Sequence, residues 1–339
     1  MNILENVPLS DLTTMRLGGA ADFVIDVETP ENCPEALDFT HDHHLPVYFL
    51  GSGANTIGLD DGFRGVILRN RIMGLKILEE TESELVVRVG GGVTWDDFVQ
   101  YTVEKDFSGV ELLAKIPSSV AAAPVQNIGA YGAEVASVVK TIEAYDTLLD
   151  EFVELPNDQC DFAYRHSIFN SGETKGRYFI LTVTFHLSKT RPKPPFYNSL
   201  QSYLDEHKIT DYSPKNLYAA VAQIRSEKLP DPQIEASAGS FFKNIYVDAR
   251  EKSRLESLKL TLRADQNGQY KVNVAQVLDL AGLKGQNFHG FEISEKAPLV
   301  LINRSAESEH DLELAKSEIT QIVNDKFGLK LEQEPEMIR

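Results

Sequence analysis

Between Val110 and Glu134 the chain is nearly free of charge and crowded with small residues, in a pattern that fits neither a strand nor an amphipathic helix. From Ser118 through Ser119 to Ala123 almost nothing protrudes from the backbone. Such a run suits a loop whose main-chain N–H groups must come close to something large and anionic, such as a pyrophosphate. A buried turn packed with small residues satisfies the same composition, and the run alone does not choose between the two. Three more stretches share its character: Gly51–Asn55, Gly90–Gly92 and Gly129–Gly132. Together they favour a large phosphorylated ligand threaded between loops.

The length of 339 residues suggests two or three domains, and 42% hydrophobic residues are enough to build real cores. The longest apolar runs fall far short of a membrane span, and no basic-then-apolar leader opens the chain, so a cytoplasmic protein with no membrane partner is expected. Cys33 and Cys160 are the only cysteines, too few for a disulfide framework or a four-cysteine zinc site, which fits a reducing compartment. A formal charge of −18 argues against nucleic acid as a partner. Small anions stay possible if Arg and Lys cluster locally against that field.

The coarse organisation can be read from periodicity. Residues 22–28 predict a strand, and Asn32 begins a short helix with Pro34 in its first turn. Val47–Leu50 is a strand running into the Gly51–Asn55 turn, and Gly65–Leu68 is another, giving a small βαβ-like unit. Leu85–Val89 ends in three glycines, after which Thr94 and Asp97 have capping-box spacing for a helix that carries Trp95, Phe98, Val99 and Val103 on one face. Strands are expected near 139–145 and 178–187. In the latter, alternation of Leu181, Val183, Phe185 and Leu187 with Thr182, Thr184 and His186 predicts one buried and one wet face. Lys189–Pro195 reads as a connector or the start of an insertion, and Ser213-Pro214 starts a helix with Leu217, Val221 and Ile224 as its stripe. Further helices run from Val274 to Gly282 and over 309–327, the latter with Leu312, Ala315, Ile319, Ile322 and Phe327 on one face; a last strand is expected from Leu329 to about Gln333.

Several chemistries are unsupported. There is no G-x-x-x-x-G-K-[ST], and Gly51-Ser52-Gly53-Ala54-Asn55 stops short of a dinucleotide fingerprint. His41, His43 and His44 lack any further ligand pattern, so no metal is expected. Ser240, between Gly239 and two phenylalanines, has no nucleophile elbow around it and suits a proton donor or hydrogen-bonding group better than an acyl-enzyme. Arg165, among aromatic and polar residues, is either a structural ion-pair partner or a clamp for a carboxylate.

Taken in order, these motifs resemble those of the UDP-N-acetylenolpyruvoylglucosamine reductases, nearly end to end. The resemblance runs through Leu17-Gly18-Gly19-Ala20, Leu50–Asn55, Pro124-Val125-Gln126-Asn127-Ile128-Gly129-Ala130-Tyr131-Gly132, Tyr164-Arg165-His166-Ser167, Lys228–Pro232, Gly239-Ser240-Phe241-Phe242-Lys243-Asn244, Gly282–Gly285, Leu299–Asn303 and Glu334-Pro335-Glu336. It implies an α+β fold: a two-part FAD-binding module of the vanillyl-alcohol-oxidase-like type and a C-terminal α+β substrate-binding domain. The boundaries it implies are 1–70 and 71–190 for the FAD-binding parts, 191–212 for an insertion or connector, 213–328 for the substrate domain, and 329–339 for a C-terminal strand returning to the active site. It also implies a reaction, in which NADPH reduces FAD and UDP-N-acetylglucosamine enolpyruvate is reduced to UDP-N-acetylmuramate for peptidoglycan precursors. The expected assembly is a monomer. A relative that binds nucleotide sugar with little cofactor, or another FAD-dependent oxidoreductase, is the alternative.

Carried over residue by residue, the resemblance makes Ser240 the proton donor and gives Arg165 and Glu336 the task of steadying enolate-like charge, for which such a glutamate helps only when protonated. Tyr197 matches a tyrosine that closes over the nucleotide, and Arg225, Lys228 and Asn244 match residues gripping the diphosphate or carbohydrate. The cofactor would lie along Gly51, Ser52, Gly53, Ala54 and Asn55, along Ser118, Ser119, Ala121 and Ala122, and along Gln126, Asn127, Gly129, Ala130, Tyr131 and Gly132. There are departures. Ser118 and Ala121 stand where the family usually has glycine, and each strains the loop by roughly 1 kcal/mol or more if its position needs positive φ or no side-chain bulk. His166 replaces a usual Asp, and Ile293–Pro298 lacks the usual His and Gln.

Overall fold

The computed structural model describes residues 2–264 and 268–339. Its contacts divide the chain into two compact units. One comprises the stretch up to Val7, Ala21–Ser52 and Arg64–Glu227; the other Pro8–Ala20, Gly53–Phe63 and Lys228–Arg339.

The first unit holds two sheets. In the smaller, the strands run in the order Asn2–Pro8, Ala20–Val27, Phe63–Asn70, Val47–Leu50, and the last two pair in parallel. Helix Asn32–Asp42 connects into this sheet and buries Cys33, Ala36 and Leu37 against Ile25, Val27, Val66 and Leu68. Burial pushes the Cys33 thiol up to about 12, so it is an apolar core group rather than a reactive one.

The larger sheet is antiparallel, in the order Glu151–Pro156, Val139–Asp146, Tyr178–Ser188, Glu84–Gly90, Leu75–Glu80. Tyr178–Ser188 is its middle strand. The alternation predicts a wet face, yet Thr182 and Thr184 are as buried as their apolar neighbours, and only His186 reaches solvent. Thr182 is satisfied by donating to Glu143 Oε2 at 2.7 Å. Threonine's β-branched shape suits a strand covered on both faces, so the polar atom misleads a simple two-period reading.

Helix Trp95–Glu104 caps this sheet. Trp95, Phe98 and Phe185 pack together, and the Trp95 indole donates to Leu113 O at 2.9 Å. Thr94 occupies the N-cap position, but its side chain makes no capping bond. Its backbone pairs with Ser119 instead, which ties the helix start to the small-residue loop. Helix Pro214–Lys228 is expected from the sequence to open the substrate domain. Leu217, Ala220, Val221 and Ile224 place it in the core of the first unit, with Leu200 and Leu204 of helix Asn198–Glu206.

The second unit contains a four-stranded sheet, in the order Ser237–Ser240, Val300–Asn303, Phe291–Ile293, Asn287–Phe288, and a three-stranded one, in the order Ile245–Val247, Tyr270–Val272, Leu262–Ala264. Helix Glu309–Phe327 buries Leu312, Ala315, Ile319, Val323 and Phe327. Val323 replaces the expected Ile322, which is only partly covered. Met15, Leu17 and Ile57, distant in sequence, join the same core. The last strand is not the expected Leu329–Gln333 but Glu336–Met337, parallel to Thr56–Ile57. Over residues 329–333, Leu329 and Leu331 alternate with Lys330 and Glu332 because the two leucines enter the core, and no strand is formed there.

Candidate cofactor cradle and active site

In the first unit the small-residue loops meet. Ala121 N–H donates to Gly91 O and Val120 N–H to Val93 O, while Trp95 N–H donates to Ser118 O. Ser52 Oγ donates to Pro117 O at 3.3 Å. A side chain at Gly51 would come within 2.6 Å of the Ala122 methyl, and one at Gly91 within 2.1 Å of Asn70 Nδ2 and 2.7 Å of the Ala121 methyl. Only backbone fits between these strands' ends, and the segment from Ser119 to Ile128 coils through successive turns above them.

Ser118 and Ala121 do not carry the strain they would impose at positive φ, since neither has a left-handed backbone. Ser118 Oγ folds back to Ser119 O at 3.1 Å, and the Ala121 methyl fills the room that Gly91 leaves. Left-handed residues flank the loop instead, at Lys115 (φ 57°) and Asn127 (φ 44°). Lys115 is pinned: its N–H donates to Asp96 Oδ1 at 2.7 Å and its ammonium meets Asp96 Oδ2 at 2.8 Å. Tyr218, on helix Pro214–Lys228, donates to the same carboxylate at 3.0 Å. Burial of Asp96 works to raise its pKa, but the bonds from Lys115 and Tyr218 outweigh it and hold the carboxyl below its ordinary range.

Gly129–Ala130 and Ala133–Glu134 form a miniature hairpin whose corners, Tyr131 (φ 51°) and Gly132 (φ 87°), are both left-handed. A tyrosine at such a corner costs of order 1 kcal/mol, so the turn presents that ring for a reason other than stability. Arg225 interacts electrostatically with the Tyr131 hydroxyl, and Tyr197 stands edge-on to the Tyr131 ring at 6.1 Å, half exposed. Burial pushes the Tyr131 hydroxyl up, Arg225 partly offsets this, and Arg225 itself is lowered by burial. Arg225 Nε is buried with no hydrogen-bond partner among the described residues. A desolvated guanidinium with an unsatisfied donor is a suitable receptor for an anion.

Arg165 lies beside this hairpin. It occupies the third position of a four-residue turn, with φ 54°, closed by reciprocal bonds between Ala163 and His166 at 3.1 Å each. Its Nη2 donates to Gly129 O at 3.4 Å and its guanidinium lies 5.2 Å over the Tyr164 ring. Asn127, almost fully buried, donates to both Glu134 Oε2 and Ala163 O. Sequence reasoning singled out Arg165 but missed the residues that grip its turn, Ser167 and Asn170; the three-residue Ser-to-Asn spacing, suited to side-chain bonding back to the main chain, was the available signal. It also missed the Asp96, Lys115 and Tyr218 cluster.

The remaining expected site residues fall in the second unit. Ser240 follows a bulge at Gly239 and pairs with Val300. Its strand continues alongside the C-terminal segment: Glu334 N–H donates to Phe241 O and Lys243 N–H to Glu332 O. Two residues on, Glu336 N–H donates to Asn55 O at 3.0 Å. This unit thus gathers the Ser240 strand, Glu336 and the Gly53–Asn55 turn. Gly53 there has φ 69°, and a side chain on it would sit 2.0 Å from Leu12 O, so no other residue fits. Asn244 Oδ1 accepts from Val274 N–H, and Lys228, at the end of its helix, is exposed.

Residues 21–151 match the family described as FAD binding domain. Residues 231–338 match the family described as UDP-N-acetylenolpyruvoylglucosamine reductase, C-terminal domain. The chain is therefore a flavin-binding protein of the vanillyl-alcohol-oxidase-like type with a reductase C-terminal domain, as the resemblance of its motifs implied. Reductases of that name from Polynucleobacter asymbioticus (34% identical, all of both chains covered) and Bdellovibrio bacteriovorus (33%, 99% of each) resemble it throughout. The chain belongs to the UDP-N-acetylenolpyruvoylglucosamine reductase family. The crystal structure of the Thermus caldophilus reductase shares its fold, with a TM-score of 0.69 at 23% identity over the whole of both chains. The residues fit FAD: loops too close-packed for side chains form the floor that a long diphosphate-bearing cofactor requires, and the two family-atypical residues sit in that floor without left-handed strain.

Proposed function

We propose that this chain catalyses the NADPH-dependent reduction of UDP-N-acetylglucosamine enolpyruvate to UDP-N-acetylmuramate, a step of peptidoglycan precursor synthesis. The observation that carries this reading is the whole-length likeness to reductases of that name, 34% identical with nothing of either chain left over. FAD, held along Gly51–Asn55, Ser118–Ala122 and Gln126–Gly132, would supply the hydride-transfer chemistry between NADPH and the enol ether.

The chain's own residues do the rest. Negative charge grows on the α-carbon and its carboxylate as hydride arrives, and preorganised donors lower the barrier by stabilising it. Arg165, locked in its turn, offers a planar fork to that carboxylate, and Glu336 acts on the same developing charge. Ser240 gives its hydroxyl proton to the α-carbon. Arg225, Lys228 and Asn244 take the diphosphate and sugar, and Tyr197 closes over the nucleotide. Gly51–Asn55, Ser118–Ala122 and Gln126–Gly132 line the cofactor. In this reading residues 21–52 and 64–227 mainly bind cofactor, Lys228–Arg339 mainly binds substrate, and the enzyme works as a cytoplasmic monomer.

The cofactor-poor alternative rested on Ser118 and Ala121, and the ordinary φ of both speaks against backbone strain as its cause. Stopped-flow absorbance on the FAD-loaded protein tests the proposal: NADPH bleaches the flavin, and the enolpyruvyl nucleotide restores its colour. Colour restored by oxygen alone would refute it.

A further inference from the structure

Arg165 is a left-handed residue on a two-residue corner closed by the reciprocal Ala163–His166 bonds. Both legs of the turn are gripped from outside. On the entry leg, Asn127 donates to Ala163 O at 3.1 Å. On the exit leg, Asn170 Nδ2 donates to Arg165 O at 3.1 Å while Asn170 Oδ1 accepts from Ser167 N–H at 3.0 Å. Ser167, fully buried, donates through Oγ to Val125 O at 2.6 Å and accepts there from Phe169 N–H. Val125 and Asn127 belong to the same loop as Gly129, whose carbonyl holds the guanidinium. The turn is thus fastened at backbone, side chain and head group to one loop.

We propose that Asn170 is a positioning residue for Arg165: by clasping Arg165 O and Ser167 N–H in a turn bolted to the Val125–Glu134 loop, it aims the guanidinium at the carboxylate of the bound substrate. This rests on the reading of Arg165 given above. Without the clasp, the exit leg loses two bonds, the left-handed residue relaxes toward ordinary backbone, and the fork swings off its target. A bidentate fork tolerates little misalignment, so the loss falls on ligands bearing that carboxylate and spares those without it.

Calorimetric titration of the FAD-loaded protein separates the possibilities, using UDP-N-acetylmuramate, which carries the carboxylate, and UDP-N-acetylglucosamine, which does not. Arg165→Ala and Asn170→Ala should both weaken the first ligand by about tenfold or more, and leave the second within about twofold. Asn170→Gln, which keeps both amide functions on a longer stem, should recover part of the loss. If Asn170→Ala does not fold, Asn170→Asp, which keeps the acceptor for Ser167 and loses the donor to Arg165 O, carries the same comparison. Equal weakening of both ligands, or of neither, in the Asn170 variants while Arg165→Ala discriminates would overturn the positioning role alone. Failure of Arg165→Ala to discriminate would remove Arg165 from carboxylate binding, and the positioning role with it.

Discussion

A serine hydroxyl is a poor acid in water, so Ser240 can protonate a carbon only where a strong base forms next to it. That makes a sharp division between the half-reactions the expected signature of its removal. Ser240→Ala should leave reduction of the flavin by NADPH intact and slow its reoxidation by the enolpyruvyl nucleotide by ~10²–10⁴-fold in stopped flow. Equal slowing of both phases would count against a dedicated proton donor. Gly91 tests the cradle rather than the chemistry. A methyl there would meet Asn70 Nδ2 at 2.1 Å and Leu181 O at 2.7 Å, so Gly91→Ala should cost about 1–3 kcal/mol by thermal unfolding and weaken FAD binding. Arg165, Ser240 and Glu336 can be singled out in the sequence as candidates because their motifs are rare. The left-handed backbone of Arg165 and Tyr131 is not, because no local rule places an arginine or a tyrosine at positive φ. Only the bonds from Asn127, Ser167 and Asn170, made across gaps of up to 42 residues, reveal how Arg165 is kept there.

Among the elements, helix Trp95–Glu104, the Lys115 corner and helix Pro214–Lys228 converge on one carboxylate, Asp96. Its pKa is lower in the folded chain than in the unfolded one. The cluster therefore stabilises fully above the ordinary carboxylate range, and its contribution vanishes as pH falls through the lowered folded value. Asp96→Asn should melt earlier than the parent by a margin that is constant above about pH 5 and shrinks towards pH 3; a margin independent of pH would deny the ionised cluster its role. At the other end of the chain, Ser308 Oγ accepts from Asp311 N–H at the start of helix Glu309–Phe327, and Ser308→Ala should cost about 1 kcal/mol in denaturant unfolding. That helix's span is readable from its period and Gly328, though Val323 rather than Ile322 completes its buried face and its Ser308 cap went unread. Elements fixed by long-range pairing are not: Thr94 is spent on Ser119 rather than on its helix, Thr182 and Thr184 are sealed between neighbouring strands, and Glu336–Met337 finds its partner at Thr56–Ile57. Such pairings depend on what lies across the sheet, which periodicity along one segment does not report.

For the molecule as a whole, a formal charge of −18 opposes the approach of two anionic reactants, NADPH and the nucleotide sugar. Raising ionic strength from about 10 to about 100 mM should therefore increase kcat/KM for the nucleotide sugar, as screening relieves repulsion acting over tens of ångströms before it erodes the contacts proposed for Arg225 and Lys228. A steady fall across that range would mean that the local basic groups dominate even at a distance. The domain order expected from the sequence was sequential, whereas the second unit takes in Pro8–Ala20 and Gly53–Phe63 as well as Lys228–Arg339. Met15, Leu17 and Ile57 bury against Ala238, Phe241 and Leu301, so a core that looks C-terminal cannot close without residues from the first sixty. During synthesis those early stretches leave the ribosome long before their partners exist. They must wait, unburied, until nearly the whole message has been read, and nascent chains stalled short of the end should be the form of this protein most dependent on chaperones.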